Sequence, residues 1–417
     1  MGLISPNILA ILCGGGPAPG INSVISSVTI EAINNGWDVL GIIDGFAHLS
    51  NGEKKTVPLS IDRVSRIHLD GGSILKTSRF NPTKNETYLR NTINTLIILG
   101  VTHLVTIGGD DTAYSAARLS DYAQKVLGID LRVAHVPKTI DNDLPLPEGI
   151  PTFGFETARS LGAQIVSNLM EDAKTSGRWF FAVVMGRTAG HLALGIGKSA
   201  GATVTIIPEE FGEGKIKLQQ LVDILTGSII KRLAGDKSYG VAVIAEGLFE
   251  KIDQESVLQC ACRDEHGHIR YTEVNFADLL KQAVLQELSL LGINMTVVGK
   301  EIGYEVRCAP PNAFDIEYTR NLGFAAFEFL QNGGTNAIIS IQNNQIVPLA
   351  FDSILDADTG RTQVRMVNIN SIQYRIARQY MIRVEKQDFH SNGLKRMALL
   401  ARLPPDEFVK KFKYLTE

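Results

Sequence analysis

Short apolar runs alternate with helical patterns almost from the first residue: NILAIL, then INSVISSVTIEAINNG, then WDVLGIID. This alternation constrains the fold more than any other feature, because parallel strands need crossover connections and amphipathic helices supply them. Further strand-like runs are HLVTIGG, LRVAHVP, RWFFAVVMG, ATVTIIPE, SYGVAVIAEG and MTVVG, with helical patterns near 156–175, 275–291 and 314–331. A chain of 417 residues exceeds one typical core. The expectation is an α/β protein with two doubly wound, mainly parallel sheets. The proline-rich LPLPEGIPTFG suggests a boundary near 153. Toward the end, AIISIQNNQIVPLAF reads as a hairpin and SIQYRIARQYMIRVEKQDF as a helix.

Composition narrows the partners. With 41 Lys and Arg against 44 Asp and Glu, a net charge of -3 argues against a general nucleic-acid surface or a polybasic membrane patch. No apolar stretch reaches transmembrane length, and the first residues lack the basic and hydrophobic regions of a signal peptide. Gly2 does not read as a myristoylation site, because Pro6 stands where Ser or Thr is wanted. The four cysteines (Cys13, Cys260, Cys262, Cys308) are too scattered for a disulfide framework, and Cys260 and Cys262 lack zinc-ribbon spacing. The reading is a cytoplasmic protein. A small anionic substrate needs only local positive charge.

Glycines and acids cluster where strands give way to helices, the end at which open parallel sheets bind ligands. Gly108-Gly109-Asp110-Asp111-Thr112 ends one apolar run, and Pro137-Lys138-Thr139-Ile140-Asp141-Asn142-Asp143 ends the next. Glycines let backbone N–H groups approach phosphate oxygens, one carboxylate can hold a divalent cation, and another can accept a proton from an attacking hydroxyl. Asp110 is the candidate Mg2+ ligand, since a hard cation prefers oxygen. In a competing reading, Asp111 or Thr112 is the N-cap of the helix AYSAARLSDYAQ. Asp141 suits a general base, Lys138 can offset charge on a transferring phosphoryl group, and Asp143 can orient Asp141 or the acceptor. Read without that chemistry, DND is an Asx-rich turn.

The loop Gly14-Gly15-Gly16-Pro17-Ala18-Pro19-Gly20 precedes a helix containing Asn22 and matches neither GxxxxGK[ST] nor GxGxxG. It reads as a tight turn or as a phosphate cradle at a helix N-terminus. Arg79, Arg187 after Met185-Gly186, and Arg307 in GYEVR add capacity for bidentate phosphate binding. His191 reads as structural.

Taken together, GGPAPGIN, GGDDT, PKTIDND, MGRTAGH, the AEG around Glu246 and GYEVR resemble the phosphofructokinases, specifically their diphosphate-dependent members. The resemblance implies Mg2+-dependent, reversible transfer of phosphate from diphosphate to O1 of fructose 6-phosphate. It implies Asp141 as base, Asp110 as the magnesium-associated aspartate, and Gly15 and Gly16 with Arg79, Asp110, Asp111, Thr112 and Lys138 around the donor. Sugar-phosphate positions match Thr139, Ile140, Asp141, Asp143, Met185, Gly186, Arg187, Glu246, Tyr304 and Arg307. Arg178 looks like an arginine that reaches a neighbouring subunit, with Lys300 replacing a second, so a homodimer or homotetramer is implied. Residues 1–153 with about 305–365 would bind the donor, and 154–304 with about 366–417 the sugar phosphate, with the active site in the cleft between them.

Donor choice rests on Asp111 and Lys138. ATP-using relatives commonly have glycine at the place of Asp111, beside the nucleotide α-phosphate. A like charge at about 4 Å and an effective dielectric near 20 costs on the order of 4 kcal/mol, roughly a thousandfold in affinity. Diphosphate has no α-phosphate to displace. Pro17 and Tyr304, which replace an aspartate and a histidine of the bacterial ATP-using pattern, agree with the diphosphate subgroup. The remaining readings are an ATP-dependent enzyme of the same fold, an NAD or lipid kinase, and a silent sugar-phosphate sensor.

Overall fold

A computed structural model of the chain describes residues 7–253, 255, 275–354 and 363–416. Cys260 and Cys262 lie outside them. Cys13 and Cys308 are free thiols, and burial pushes that of Cys13 up to about 12. No described helix is long and apolar enough to cross a membrane. The chain divides into two compact units, Met1–Ala158 with Tyr304–Arg365, and Arg159–Gly303 with Met366–Glu417.

In the first unit the strands are β1 (Ile8–Cys13), β2 (Asp38–Ile42), β3 (Thr56–Pro58), β4 (Val101–Gly108), β5 (Arg132–Thr139), β6 (Phe153–Gly154), β11 (Ala337–Gln342) and β12 (Gln345–Ala350). They form one sheet in the order β12-β11-β5-β4-β1-β2-β3, with β6 beside β5. Pairing is parallel except at the two ends, where β12 and β3 run antiparallel to their neighbours. Leu9 through Cys13 are wholly buried, as expected of a central strand covered on both faces. One face packs against helices Ile21–Asn34 and Ala313–Gln331, in a core that includes Val24, Ile25, Leu322 and Ala326. Gly323 permits that approach, since a Cβ there would stand 2.7 Å from the Cβ of Ser27. Helices Glu86–Ile98 and Asp110–Leu127 contribute Leu89, Ile93, Ala116 and Leu119 to a separate core with Ala10, Leu12 and Leu104.

In the second unit, β7 (Trp179–Val184), β8 (Val204–Ile206), β9 (Gly240–Ala245) and β10 (Val297–Ile302) form an all-parallel sheet ordered β10-β7-β9-β8. Trp179, Phe181 and Ile244 pack with helices Leu218–Ala234 and Phe276–Leu290. The helix expected across 371–389 is shorter, covering Ile372–Tyr380. Beyond it the chain extends along the sheet, and Ile382 N–H donates to Thr203 O at 2.8 Å. Buried Arg383 donates to the Glu210 carboxylate at 2.5 Å and also to Thr205 O. Those bonds compete with continued helix and prevail.

Candidate active site

In the first unit, β2 lies to one side of β1 and β4 to the other, so the strand order reverses between β1 and β4. The glycine loop follows β1, the paired aspartates follow β4, and the lysine and further aspartates follow β5. Cys13 is paired with Ile107 and Gly108 with Pro137, so register alone sets these three loops side by side at the carboxyl end of the sheet.

The glycine loop is fastened from two directions. Gly14 N–H donates to Ile107 O at 2.8 Å and Gly15 N–H to Ser78 O at 2.9 Å, which brings the neighbouring Arg79 to the loop. Gly15 has φ 79°, and a Cβ there would stand 3.6 Å from Lys138 Nζ. A Cβ on Gly16 would stand 3.6 Å from an Arg307 guanidinium nitrogen and 3.8 Å from one of Arg79. Three cations therefore converge on two glycines. Lys138, almost fully buried, donates to Gly16 O at 2.5 Å. Arg307 Nε is buried with no hydrogen-bond partner among the described residues, and the Tyr304 ring covers the guanidinium at 4.5 Å. Backbone contact explains how Arg307 arrives, since a Cβ on Gly71 would stand 2.1 Å from Cys308 O. Asn22 holds the same Asp70–Ile74 segment by donating to Asp70 O and Gly71 O and accepting from Ile74 N–H.

Gly109 takes the N-cap position of the helix Asp110–Leu127, with no side-chain cap bond. Neither Asp111 nor Thr112 caps it. Asp110 is half-buried and Asp111 exposed, both in the first turn, where the helix dipole favours negative charge. Thr112 is buried. It fills the space between two glycines, standing 2.2 Å from where a Gly14 Cβ would be and 2.4 Å from where a Gly108 Cβ would be. Behind the loop, buried His135 faces Thr106 Oγ1 with Nδ1 at 2.8 Å and Gly108 O with Nε2 at 3.1 Å. Burial holds its pKa down at about 3, so the neutral ring donates through Nε2 and accepts through Nδ1.

The turn after β5 buries Ile140, Asp141 and Asp143, with Thr139 half-buried. Asp141 N–H donates to Thr139 Oγ1 at 3.0 Å, and Thr152 Oγ1 donates to Thr139 O at 2.7 Å. Asn142 adopts left-handed backbone at φ 56°. Arg365 holds this turn, donating to Asn142 O, Leu146 O and Ile150 O. The sequence held no signal for it, because an isolated arginine between exposed residues looks like surface. His135 and Asp315 were also missed. Asp315, wholly buried, accepts from Gly154 N–H at 2.8 Å and Thr157 N–H at 2.7 Å.

The second unit gathers its predicted residues differently. Met185-Gly186-Arg187 follows β7 and Glu246 follows β9, two adjacent parallel strands. Glu246 Oε1 accepts from Gly186 N–H at 3.0 Å and Arg187 N–H at 2.7 Å, so one carboxylate oxygen fixes the loop. Arg187 is exposed, at φ 51°. Gly247 lets the two loops touch, since a Cβ there would stand 2.4 Å from Arg187 O. Glu209 supports the same loop by accepting from Gly190 N–H at 2.9 Å, and burial raises its pKa. Lys300 is exposed on edge strand β10, opposite Ala182. Arg178 is not brought to this group. It precedes β7 at the opposite end of the strand, roughly 20 Å from Met185 at ~3.3 Å per residue, and its Nε lies 3.7 Å from Asp172.

Among the described residues no three His, Cys, Asp or Glu side chains form a metal-binding group. A single carboxylate such as Asp110 suits a cation held mainly by substrate phosphates and water, the usual habit of Mg2+.

Comparison with known proteins gives these motifs a common source. The chain is 51% identical over 418 residues to the pyrophosphate--fructose 6-phosphate 1-phosphotransferase of Thermotoga maritima, covering 98% of this chain and 99% of that one. It is 49% identical to the protein of the same name from Naegleria fowleri, covering 98% and 96%. A crystal structure of a pyrophosphate-dependent phosphofructokinase from Marinobacter aquaeolei shares the fold, with a TM-score of 0.68 at 18% identity, covering 95% and 92%. The phosphofructokinase family profile matches residues 8–330, and the chain belongs to that family.

Proposed function

We propose that this chain transfers phosphate reversibly from diphosphate to O1 of D-fructose 6-phosphate, giving fructose 1,6-bisphosphate and inorganic phosphate. The observation that carries the reading is the convergence of Arg79, Lys138 and Arg307 on Gly15 and Gly16, beside a helix opened by two aspartates. Relatives that bear this activity in their names match it along nearly their whole length.

Gly15 and Gly16 admit diphosphate close to the backbone, where the three cations balance its charge. Arg307 stands with the donor group as well as serving the sugar phosphate. Asp110 would hold Mg2+, which neutralises phosphate charge when bound. Asp141 takes the proton of the O1 hydroxyl as that oxygen bonds to phosphorus and the bridging bond of diphosphate breaks. Lys138 offsets charge on the phosphoryl group in transfer. Thr139, Ile140 and Asp143 shape the acceptor side of the turn. Met185, Gly186, Arg187, Glu246 and Tyr304 recognise the sugar phosphate, and Arg178 and Lys300 reach the sugar phosphate of a neighbouring subunit in a homodimer or homotetramer. Soluble substrates and free thiols at Cys13 and Cys308 suit a cytoplasmic enzyme.

Asp111 selects the donor, its exposed carboxylate repelling a nucleotide α-phosphate. The test is phosphorylation of fructose 6-phosphate by purified protein with Mg2+, comparing diphosphate with ATP at matched concentration. Strong preference for diphosphate is expected, and Asp111→Gly should admit measurable ATP turnover. A preference for ATP in the unaltered protein would overturn the donor assignment.

A further inference from the structure

The PKTIDND turn is held by bonds from outside it as well as by its own. It carries a non-glycine residue, Asn142, at φ 56°, a conformation that costs on the order of 1 kcal/mol or more unless its surroundings impose it. It is also followed by the irregular stretch to Ile150, whose carbonyls need donors. Arg365 meets both needs from outside the turn. Its Nε donates to Asn142 O at 3.1 Å, and one terminal nitrogen donates to Asn142 Oδ1. The other terminal nitrogen donates to Ile150 O at 2.8 Å and Leu146 O at 3.3 Å. Its backbone N–H donates to Asp143 O at 2.7 Å. Thr152 N–H also donates to Asn142 Oδ1, at 3.0 Å, so that amide is clamped between two donors. These bonds bracket Asp141 from the residue that follows it. Arg365 lies beyond residues 8–330, outside the stretch that the family profile matches.

We infer that Arg365 is a positioning residue for phosphoryl transfer: its guanidinium fork, bonded to Asn142 O and Oδ1, sets the Asn142 backbone and thereby the orientation of the Asp141 carboxylate. The inference rests on the reading of Asp141 as the proton acceptor. The guanidinium bonds of Arg365 are to the carbonyls and the amide around the turn, so its loss should act on the chemical step more than on donor binding. A compact lysine ammonium cannot reproduce a planar fork that serves four acceptors.

Arg365→Gln and Arg365→Lys should both lower kcat by roughly ten- to a hundredfold, as expected when a reacting group is misplaced by about an ångström. The KM for diphosphate should stay within about twofold, because uniform donor binding is unchanged. In Arg365→Gly, millimolar guanidinium should restore part of the lost kcat, which a generally weakened fold would not permit. Asn142→Gly, which tolerates the left-handed backbone and removes one acceptor, should lower kcat by a smaller factor. Combined with Arg365→Gln it should cost less than the product of the two single effects.

Wild-type kcat in Arg365→Lys and Arg365→Gln would overturn the inference. So would losses that track the unfolded fraction and ignore guanidinium, or fully independent effects of the Asn142 and Arg365 changes. If the unaltered protein failed to turn over diphosphate and fructose 6-phosphate, the proposed function itself would fall. That result is distinguishable from an active wild type with an indifferent Arg365.

Discussion

The two units hold their loops by opposite means. In the first, cations surround a glycine turn, with Lys138 buried and Arg307 half-buried beside Gly15 and Gly16. In the second, the Met185–Arg187 loop is shaped by acids, with Glu246 accepting from two of its N–H groups and Glu209 from Gly190. Cations near backbone N–H groups make a concave positive site that suits a small, highly charged anion. A carboxylate that organises N–H groups suits a ligand that brings hydroxyls as well as charge, since it keeps acceptor capacity beyond the loop. On the proposed function, the first kind of loop would serve diphosphate and the second the sugar phosphate.

The largest effect is expected at the proposed base in the turn after β5. Asp141→Ser should lower kcat by roughly 10²–10⁴-fold, the usual contribution of a positioned base, while calorimetry still detects fructose 6-phosphate binding. Unchanged turnover would remove Asp141 from its role.

The comparison itself is tested by a crossed pair. Glu246→Ala leaves two N–H groups without their acceptor and should raise the KM for fructose 6-phosphate about 10- to 100-fold, sparing that for diphosphate. Arg79→Ala should do the reverse by about tenfold. Equal effects on both KM values in either variant would dissolve the division.

Acid should expose a smaller difference. His135 is held neutral in the folded protein, with its pKa lowered from 6.5 to about 3, while the unfolded chain binds a proton below 6.5. The stability it lends is present above 6.5 and falls on acidification by about 1.4 kcal/mol per pH unit. His103, lowered to about 4, acts in the same sense. Buried Asp315 and Glu209, both raised, act oppositely, losing stability as pH rises through the carboxylate range. The histidine contribution sets in just below 6.5. Urea midpoints should drop there, and His135→Gln should flatten the slope. A flat wild-type profile would contradict the assignment.

Much of this was legible beforehand, and the reason is local. The runs that became β1, β4, β5, β7 and β9 are apolar because both faces of a parallel sheet are covered, so hydrophobicity alone marks them. Gly15 and Lys138, which the structure brings together, stand out in the sequence because strand-end glycines and charges need no distant partner to be noticed. What stayed hidden depends on contacts far apart in sequence. The close packing of Gly14 and Gly108 against Thr112 has no local signature. Arg365 lies more than two hundred residues from the turn it holds. Helical periodicity past Tyr380 could not reveal that Thr203 O would capture Ile382.

The strand order of the first unit has a consequence for synthesis. Ala134 on β5 finds its outer neighbour in Ala337, so about 200 residues must emerge from the ribosome before that edge is closed. At typical elongation rates the wait is roughly 10–40 s. During that interval β5 offers an apolar strand with unpaired backbone to any other nascent chain, a template for mispairing. The conditions that most affect recovery of this protein should therefore be those acting on the growing polypeptide, such as slower initiation, lower temperature or holding chaperones, rather than those acting on the finished fold.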